Sequence, residues 1–412
     1  MTLPGSTDLL VIGAGPAGSA AAAWAARQGI DTVLADAAAF PRDKTCGDGL
    51  TPRAIAELDR LGLGPWVRGH GANRGLRAAG FGRTLELLWP GGSLPSEGSA
   101  VARTELDSRI RAVALEAGAV GVVGKAVDVE RDGERISGVT FADGQTVACQ
   151  RVVVADGVRS TLGRVLGREW HQDTAYGVAA RGYIRSARHD DPWISSHLEL
   201  RGTANEVLAG YGWVFPLHTG EVNIGVGTLA TEKRPANVQL RALIQHYTNL
   251  RREDWGLDGD VRLVRSALLP MGGAVSGVAG PNWALIGDAA GCVNPLNGEG
   301  IDYGLETGRL VAELAVAEKD LARAWPATLR GHYGSAFSIA RRLAGLLTVP
   351  NLLRAAGPVG MRWTGLMRVA LRVMGNLVTE EDRDLTARAW RAAGALSLRL
   401  DDRRPFPAAD LR

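Results

Sequence analysis

A Gly-rich turn directly after a short apolar strand is the feature that most restricts how this chain can fold. Residues 9–12, LLVI, suit a buried parallel strand, and residues 13–18, GAGPAG, match G-x-G-x-x-G. An Ala-rich helix over 19–27 and a second strand over 32–35 complete a βαβ unit that ends at Asp36. This pattern predicts dinucleotide binding through Gly13, Gly15, Pro16, Ala17, Gly18 and the ribose-binding acid Asp36, but the turn alone leaves NAD and FAD both open.

Two further apolar strands end in an acid beside a glycine. Residues 151–155 lead into Asp156-Gly157, and residues 283–286 lead into Gly287-Asp288. Ligands bind at the carboxyl ends of parallel strands, although either pair by itself also fits an ordinary turn. The three segments in this order resemble the flavoprotein group typified by para-hydroxybenzoate hydroxylase, and this resemblance implies FAD as the cofactor.

Three more segments resemble the geranylgeranyl reductase family, whose members saturate isoprenoid double bonds. Residues 41–47, PRDKTCG, resemble its loop beside the flavin ring, and residues 295–301, PLNGEGI, resemble its flavin-contacting turn. Residues 211–216, YGWVFP, followed by GVG at 225–227, resemble its substrate-side motif. The resemblance covers residues 8–375 and is nearest to the menaquinone reductases, which saturate one isoprene unit of the quinone tail.

The resemblance implies roles for individual residues. Asp288 would bind the ribityl chain, Asp156 would lie near the pyrophosphate or the nicotinamide approach, and Arg103 would contact the flavin phosphates. The helix that begins near Gly300 would direct its positive end at the flavin ring. The further cofactor-binding residues predicted in this way are Lys44, Cys46, Gly47, Gly157, Gly287, Pro295, Gly298, Gly300 and Ile301.

The pattern predicts an α/β (α+β) fold with a discontinuous Rossmann-like FAD-binding domain over 1–75, 100–168 and 270–320. An antiparallel-sheet substrate domain is predicted over 76–99 and 169–269, and a helical C-terminal region over 321–412. Within it we expect helix breaks at Pro350 and Pro358.

Aromatic side chains alternate along the predicted strand at Tyr211, Trp213 and Phe215, so they share one face. This face would be either the wall of an apolar substrate tunnel or ordinary core packing. Cys46, beside Lys44, is a candidate for a catalytic or substrate-contacting thiol, and otherwise a small buried hydrophobe. The histidines show no metal-ligand spacing, so no metal is predicted.

The charge distribution bears on partners and location. The net charge of +3 gives no sign of nucleic-acid binding, and neither a signal peptide nor a spanning segment is predicted. Between residues 321 and 378 there are eight arginines but no Asp, Glu or Lys. A helix over 360–378 would carry Arg362, Arg368 and Arg372 beside an apolar face, which predicts a cytoplasmic protein in peripheral contact with the cytoplasmic membrane.

The predicted function is FAD-dependent reduction of an isoprenoid chain, with the menaquinone side chain as the expected substrate. A geranylgeranyl lipid or geranylgeranyl diphosphate is an alternative substrate. A flavin-dependent aromatic monooxygenase or halogenase is an alternative of another class, and a lipid carrier without redox activity is a third. The electron donor is not identified, since no second G-x-G-x-x-G occurs.

Overall fold

A computed structural model describes residues 3–407; residues 1–2 and 408–412, which the predicted domain ranges include, lie outside the described residues. The strands are β1 Ser6–Ile12, β2 Thr32–Asp36, β3 Gly49–Leu50, β4 Ala72–Asn73, β5 Gly75–Gly80, β6 Arg83–Leu88, β7 Gly98–Ala100, β8 Val120–Val123, β9 Ala126–Asp132, β10 Arg135–Phe141, β11 Thr146–Val154, β12 Glu169–Trp170, β13 Tyr176–Ser186, β14 Ile194–His197, β15 Gly210–Pro216, β16 Glu221–Ala230, β17 Leu257–Leu269, β18 Val275–Ser276, β19 Ala279–Gly280 and β20 Trp283–Leu285. The helices are α1 Pro16–Arg27, α2 Pro52–Arg60, α3 Gly64–Arg68, α4 Arg103–Glu116, α5 Thr161–Val165, α6 Leu240–Trp255, α7 Ile301–Ala317, α8 Leu321–Leu347, α9 Leu352–Gly360, α10 Thr364–Met374 and α11 Leu385–Arg399, with a 3₁₀ turn at Gly287–Ala290.

The first sheet carries the predicted nucleotide-binding strands. Its order is β19-β20-β11-β1-β2-β8, with β1, β2, β8, β11 and β20 parallel and β9 and β10 extending it as an antiparallel hairpin. The three strand ends that the sequence singled out therefore meet at one edge. The predicted α/β (α+β) class is confirmed.

Small residues bring α7 close to α1 above this edge. The alanines of α1 are buried, and a Cβ on Gly308 would lie 2.5 Å from the carbonyl oxygen of Ala17. Because the two helices cross this closely, the beginning of α7 lies beside the glycine turn after β1.

The second sheet has the order β17-β13-β16-β15-β14-β5-β6. Neighbouring strands of this sheet are antiparallel except β14 and β5, which run parallel. Strand β5 comes from an earlier part of the chain. The aromatic strand β15 lies near the middle of this sheet. We propose that the predicted division into an FAD-binding and a substrate domain follows the two sheets.

Two features of these elements leave little trace in the sequence. Gly62, with φ of +86°, turns the chain between α2 and α3. Strand β14 contains the buried polar residues Ser195 and Ser196, so it lacks an apolar pattern.

The C-terminal helices differ from the prediction. Pro358 does not break a helix, since α9 continues through it to Gly360. The prediction of a single helix over 360–378 was wrong, because α9 ends at Gly360 and α10 spans only Thr364–Met374. Leu377, which the predicted helix over 360–378 includes, lies beyond the end of α10 and is buried.

Candidate active site

Two glycines of the turn after β1 are required by the fold itself. Gly13 has φ of +100°, and a Cβ on it would lie 2.3 Å from the carbonyl oxygen of Ala155. A Cβ on Gly18 would lie 1.8 Å from the carbonyl oxygen of Gly13. The first and third glycines therefore allow the turn and the close crossing of strand and helix, as the motif predicts.

Gly15 lines an open cradle instead. Its φ of −72° suits any residue, and a Cβ would meet only Nη2 of Arg42 at 3.5 Å and Nη2 of Arg103 at 3.9 Å. The N–H groups of Ala17 and Gly18 at the beginning of α1 add the positive end of a helix. A side chain at position 15 would fill a space whose surroundings fit a pyrophosphate.

Asp36 and Asp107 hold this cradle in shape. Asp36 accepts hydrogen bonds from the backbone N–H of Ala14 at 2.8 Å and of Ala38 at 3.0 Å. Arg42 bridges the two carboxylates, at 3.3 Å from Asp36 and 3.2 Å from Asp107. Asp36 therefore braces the turn as well as lying where a ribose would bind.

Arg103, the predicted phosphate contact, is the first residue of α4 and is buried. Its Nε and Nη2 donate to the two oxygens of Asp107 at 2.6 and 2.9 Å. One buried carboxylate thus orients both Arg103 and Arg42. Sequence reasoning missed Arg42, although it belongs to the same loop motif as Lys44 and Cys46.

The loop over 41–47 is fixed on the second sheet by Arg181, which is 1% exposed. Its guanidinium donates to the carboxylate of Asp43 and, at 2.7 Å, to the carbonyl oxygen of Lys44. The ammonium of Lys44 reaches to within 3.0 Å of the position of a Cβ on Gly157. Burial lowers the pKa of Lys44, opposed by the nearby Asp288 carboxylate.

Asp156 has a structural contact as well as its predicted role. One carboxylate oxygen accepts from the backbone N–H of Leu162 at 2.9 Å and so supports the beginning of α5. The other oxygen is buried and has no hydrogen-bond partner in the part of the chain that the structure describes, and burial raises the pKa of Asp156. A contact from Asp156 to the cofactor remains a proposal.

The Gly287-Asp288 turn and the segment over 295–301 come together at the beginning of α7. Gly300 precedes Ile301, the first residue of α7, and a Cβ on Gly300 would lie 2.9 Å from Oδ1 of Asp288. Pro295 and Gly298 belong to the same turn. The structure thus brings these residues beside α1, as the flavin assignment requires.

Tyr211, Trp213 and Phe215 do share one face of β15. Their ring centroids follow one another at 5.8 and 6.2 Å. The wall that they form faces the flavin-side loop, since a Cβ on Gly47 would lie 3.3 Å from both Trp213 and Phe215. The rings are therefore in contact with the predicted cofactor loop rather than only with the core.

The glycines of the second half of the motif make room for the Trp213 ring. A Cβ on Gly225 would lie 2.1 Å from Cζ2 of Trp213, whereas one on Gly227 would lie at an ordinary 3.5 Å. The spacing of the two motif halves thus reflects the pairing of β15 with β16, in which Trp213 is directly opposite Gly225.

We expect Gly225→Ala to displace the Trp213 indole, while Gly227→Ala leaves it in place. Near-ultraviolet circular dichroism and tryptophan fluorescence of the two purified variants should differ, with only Gly225→Ala departing from the wild type. Equal spectra for both variants would contradict the placement of the ring.

A buried polar network ties the wall to the loop. Nε1 of Trp213 donates to Oδ1 of Asn223 at 2.9 Å, and Nδ2 of Asn223 donates to Asp48 at 2.8 Å and to the carbonyl oxygen of Cys46 at 2.9 Å. Tyr183 donates to the same Asp48 oxygen at 2.7 Å. Burial raises the pKa of Asp48 to about 6. Sequence reasoning missed Asp48, Asn223 and Tyr183.

Cys46 is one of the three free cysteines, and it is the one near the wall. The positive flank of Lys44 suggested a shifted thiol pKa. Burial is the larger effect and raises the pKa of Cys46, while the Arg103 guanidinium opposes the rise. The thiol therefore keeps its proton at neutral pH.

Within residues 3–407, no group of three or more His, Cys, Asp or Glu is arranged to hold a metal ion. In the same part of the chain, no helix combines the length and apolar character needed to cross a membrane.

Comparison with known proteins identifies the family. A model of the FAD-binding domain matches residues 6–325. The chain belongs to the FAD-binding domain family. A menaquinone reductase of Mycobacterium tuberculosis is 63% identical over 408 residues, covering 98% of this chain and 100% of the relative. Digeranylgeranylglycerophospholipid reductase 1 of Methanopyrus kandleri is 30% identical over 315 residues, covering 75% of this chain and 80% of the relative.

Two crystal structures share the fold. A geranylgeranyl bacteriochlorophyll reductase-like protein from Thermoplasma acidophilum has a TM-score of 0.70 at 19% identity, covering 94% of this chain and 95% of the other. A flavin-dependent brominase has a TM-score of 0.73 at 19% identity, covering 96% of this chain and 100% of the other. At this identity the two show the fold and leave the reaction open.

The resemblance to geranylgeranyl reductase-type flavoproteins is thus confirmed, with the menaquinone reductases as the relatives of high identity. The chain is an FAD-dependent oxidoreductase. The cradle at Gly15, with its helix end and two arginines, fits the pyrophosphate of that cofactor.

Proposed function

We propose that this enzyme saturates one double bond in the isoprenoid side chain of menaquinone. The identity of 63% along nearly the whole chain supports the substrate. The observation that carries the chemistry is the wall of Tyr211, Trp213 and Phe215 against the flavin-side loop.

The assignment of individual residues is part of this proposal. FAD would be contacted by Asp36, Lys44, Arg103 and Asp288, together with Arg42. The glycines of the three turns allow close backbone approach. We assign substrate contact to Cys46 and to the three rings of the wall.

An unactivated alkene accepts hydride poorly, so the residues around it must make it electrophilic. When bound, reduced FAD supplies the hydride. Protonation of the less substituted carbon builds positive charge on the tertiary carbon, which the faces of Trp213 and Tyr211 stabilise. The site must also exclude water, because water would capture the cation as an alcohol.

Phe215 links the wall to two apolar clusters. It packs against the cluster that includes Met361 and Leu371, and also against the cluster that contains Tyr183. The end of the wall at Phe215 is therefore surrounded by apolar side chains, as contact with an isoprenoid chain requires.

The surface of α9 and α10 supports contact with a membrane. Val359, Trp363, Leu366 and Val369 are exposed, with Trp363 68% exposed, and Arg362 and Arg368 lie exposed beside them. Leu366 belongs to the apolar face expected from the sequence, whereas Val359, Trp363 and Val369 do not. Tryptophan and arginine beside apolar residues favour an anionic lipid surface.

Arg372, the third arginine of the predicted membrane face, is held within the protein. Its Nη2 lies 2.9 Å from Asp382 and 2.7 Å from Asp384. The acids that follow the arginine-rich stretch thus fold back and neutralise part of its charge.

We therefore expect that replacing Arg362 and Arg368 together by Gln weakens binding to anionic phospholipid vesicles by roughly 30-fold, from about 1 kcal/mol per residue. Vesicle co-sedimentation measures the change. A matched control replaces Arg131 and Arg135, exposed on the β9–β10 hairpin, and should bind like the wild type. Equal binding of both double variants would refute this surface.

The substrate is tested by reducing the purified protein without oxygen and mixing it with candidate alkenes. Menaquinone should reoxidise the flavin and gain a pair of hydrogens in its tail, which fragment mass spectrometry distinguishes from reduction of the quinone ring to the quinol. Geranylgeranyl diphosphate or a geranylgeranyl lipid as the better oxidant would move the assignment to those substrates. Oxygen-dependent conversion of a small aromatic compound would place the enzyme among the hydroxylases or halogenases.

A further inference from the structure

A half-buried acid lies where the two cofactor loops meet the aromatic wall. Glu299 precedes α7, and its Oε1 accepts a hydrogen bond from the hydroxyl of Thr51, which ties the turn over 295–300 to the chain that follows the Cys46 loop. The hydroxyl of Tyr211 donates to the carbonyl oxygen of Asn297 in the same turn. Glu299 thus belongs to the turn that touches the wall.

A fully buried acid follows Glu299 in the chain. Asp302, in the first turn of α7, is fully buried, and its Oδ2 accepts from Nδ2 of Asn376 at 2.8 Å. Its Oδ1 is buried and has no hydrogen-bond partner among residues 3–407. A lone oxygen in this position is a site for a proton, because an ionised carboxylate with an unpaired oxygen is costly to bury.

A cavity of about 400 Å³ is lined by Asn376, the residue that donates to Asp302, together with other polar and apolar side chains. Its lining includes Arg53 and Glu306, whose charged groups lie 3.5 Å apart. Tyr333 donates to Glu306 at 2.9 Å. These charged and hydroxyl groups can hold water and exchange protons with it.

We infer that Glu299 holds the proton that is added to the alkene, and that Asp302 returns a proton to it from this cavity. The inference rests on the proposed function. The O–H bond of Glu299 breaks as a C–H bond forms at the less substituted carbon. The other carbon receives the hydride that FAD supplies, so the alkene gains two electrons and the flavin loses two. The Glu299 carboxylate then takes the proton of Asp302.

The electrostatics agree with this geometry. Burial, followed by the charge of Asp302, raises the pKa of Glu299 well above its ordinary value. Burial raises the pKa of Asp302 to about 6, opposed by Asn376 and Arg53. Two carboxyls at the beginning of one helix therefore share protons at neutral pH. The groups that face the pair are Thr51, Arg53, Asn297, Tyr303, Glu306 and Asn376.

The test compares Glu299→Gln, which keeps the shape but cannot give a proton, with Glu313→Gln on the exposed part of α7. Reoxidation of the reduced flavin by menaquinone should slow by at least about 100-fold in Glu299→Gln, the usual contribution of a general acid. FAD content and substrate Kd should stay at the wild-type values. Glu313→Gln should reoxidise at the wild-type rate.

A second measurement does not depend on turnover. The infrared spectrum of the oxidised holoprotein at pH 7 should contain the band of a protonated carboxyl group, shifted in D₂O and weakened in Glu299→Gln. Absence of this band in the wild type overturns the inference, even if the variant loses FAD. Reoxidation of Glu299→Gln at the wild-type rate also overturns it, and would favour the Cys46 thiol as donor. A wild type that no isoprenoid reoxidises refutes the proposed function instead.

Discussion

Gly15→Val should fold normally and purify without flavin. The backbone at Gly15 suits a side chain, and the added atoms would meet only the ends of Arg42 and Arg103, so the apoprotein loses no packing. The side chain would occupy the space of the pyrophosphate and displace it from backbone N–H groups. Loss of two charge-assisted hydrogen bonds at about 2 kcal/mol each weakens FAD binding by roughly a thousandfold. Absorbance of the purified protein and titration of the apoprotein with FAD measure this loss.

Two matched variants separate cofactor loss from misfolding. Gly5→Val, before β1, adds the same side chain where a Cβ has no neighbour within 4 Å, and it should be yellow. Gly18→Ala, whose Cβ would overlap the carbonyl oxygen of Gly13, should lower the thermal stability of the apoprotein. A Gly15→Val protein with full flavin occupancy would show that the phosphates lie elsewhere.

The nucleotide-binding half of the fold was predictable because its signals are local. A strand, a glycine turn, a small-residue helix and an acid follow one another within residues 9–36, and each is dictated by nearest neighbours in the chain. The same is true of the acid–glycine strand ends at 156 and 288. These strand ends meet because parallel strands of one sheet end at one edge.

Contacts between distant parts of the chain were not predictable. Arg181 and Asp43 are 138 positions apart, and nothing periodic connects them. The network of Asp48, Asn223 and Tyr183 joins a loop to two strands in the same way. A buried polar residue has no sequence pattern of its own, since its position is set by its partners.

The C-terminal region shows a different reason for error. The arginine-rich stretch ends at residue 378, just before Asp382 and Asp384, which neutralise Arg372 in the fold, so the charge of the stretch overstates the basic surface. The helix division at 361–363 also lacked a proline or a charge pattern to mark it. The exposed Trp363 lies between the two helices, so it did not belong to any face predicted from helical spacing.

The aromatic wall makes the strongest claim about the reaction, and Trp213→Leu tests it. Leucine keeps an apolar surface but has no π face, and it cannot donate to Asn223. The activation free energy of flavin reoxidation by menaquinone should rise by about 3 kcal/mol, which lowers the rate by between two and three powers of ten. A loss of this size is comparable with that of one preorganised electrostatic contact. FAD content should remain unchanged, because Trp213 lies outside the cradle at Gly15.

The matched variant is Trp213→Phe, which restores a π face without the indole N–H. If the ring stabilises positive charge on the tertiary carbon, Phe should recover most of the rate that Leu loses. If the hydrogen bond to Asn223 is what matters, Phe and Leu should be equally slow, since neither can donate. Stopped-flow reoxidation at saturating substrate separates the two outcomes. Reoxidation of Trp213→Leu at the wild-type rate would mean that the wall is core packing and that the alkene reacts elsewhere.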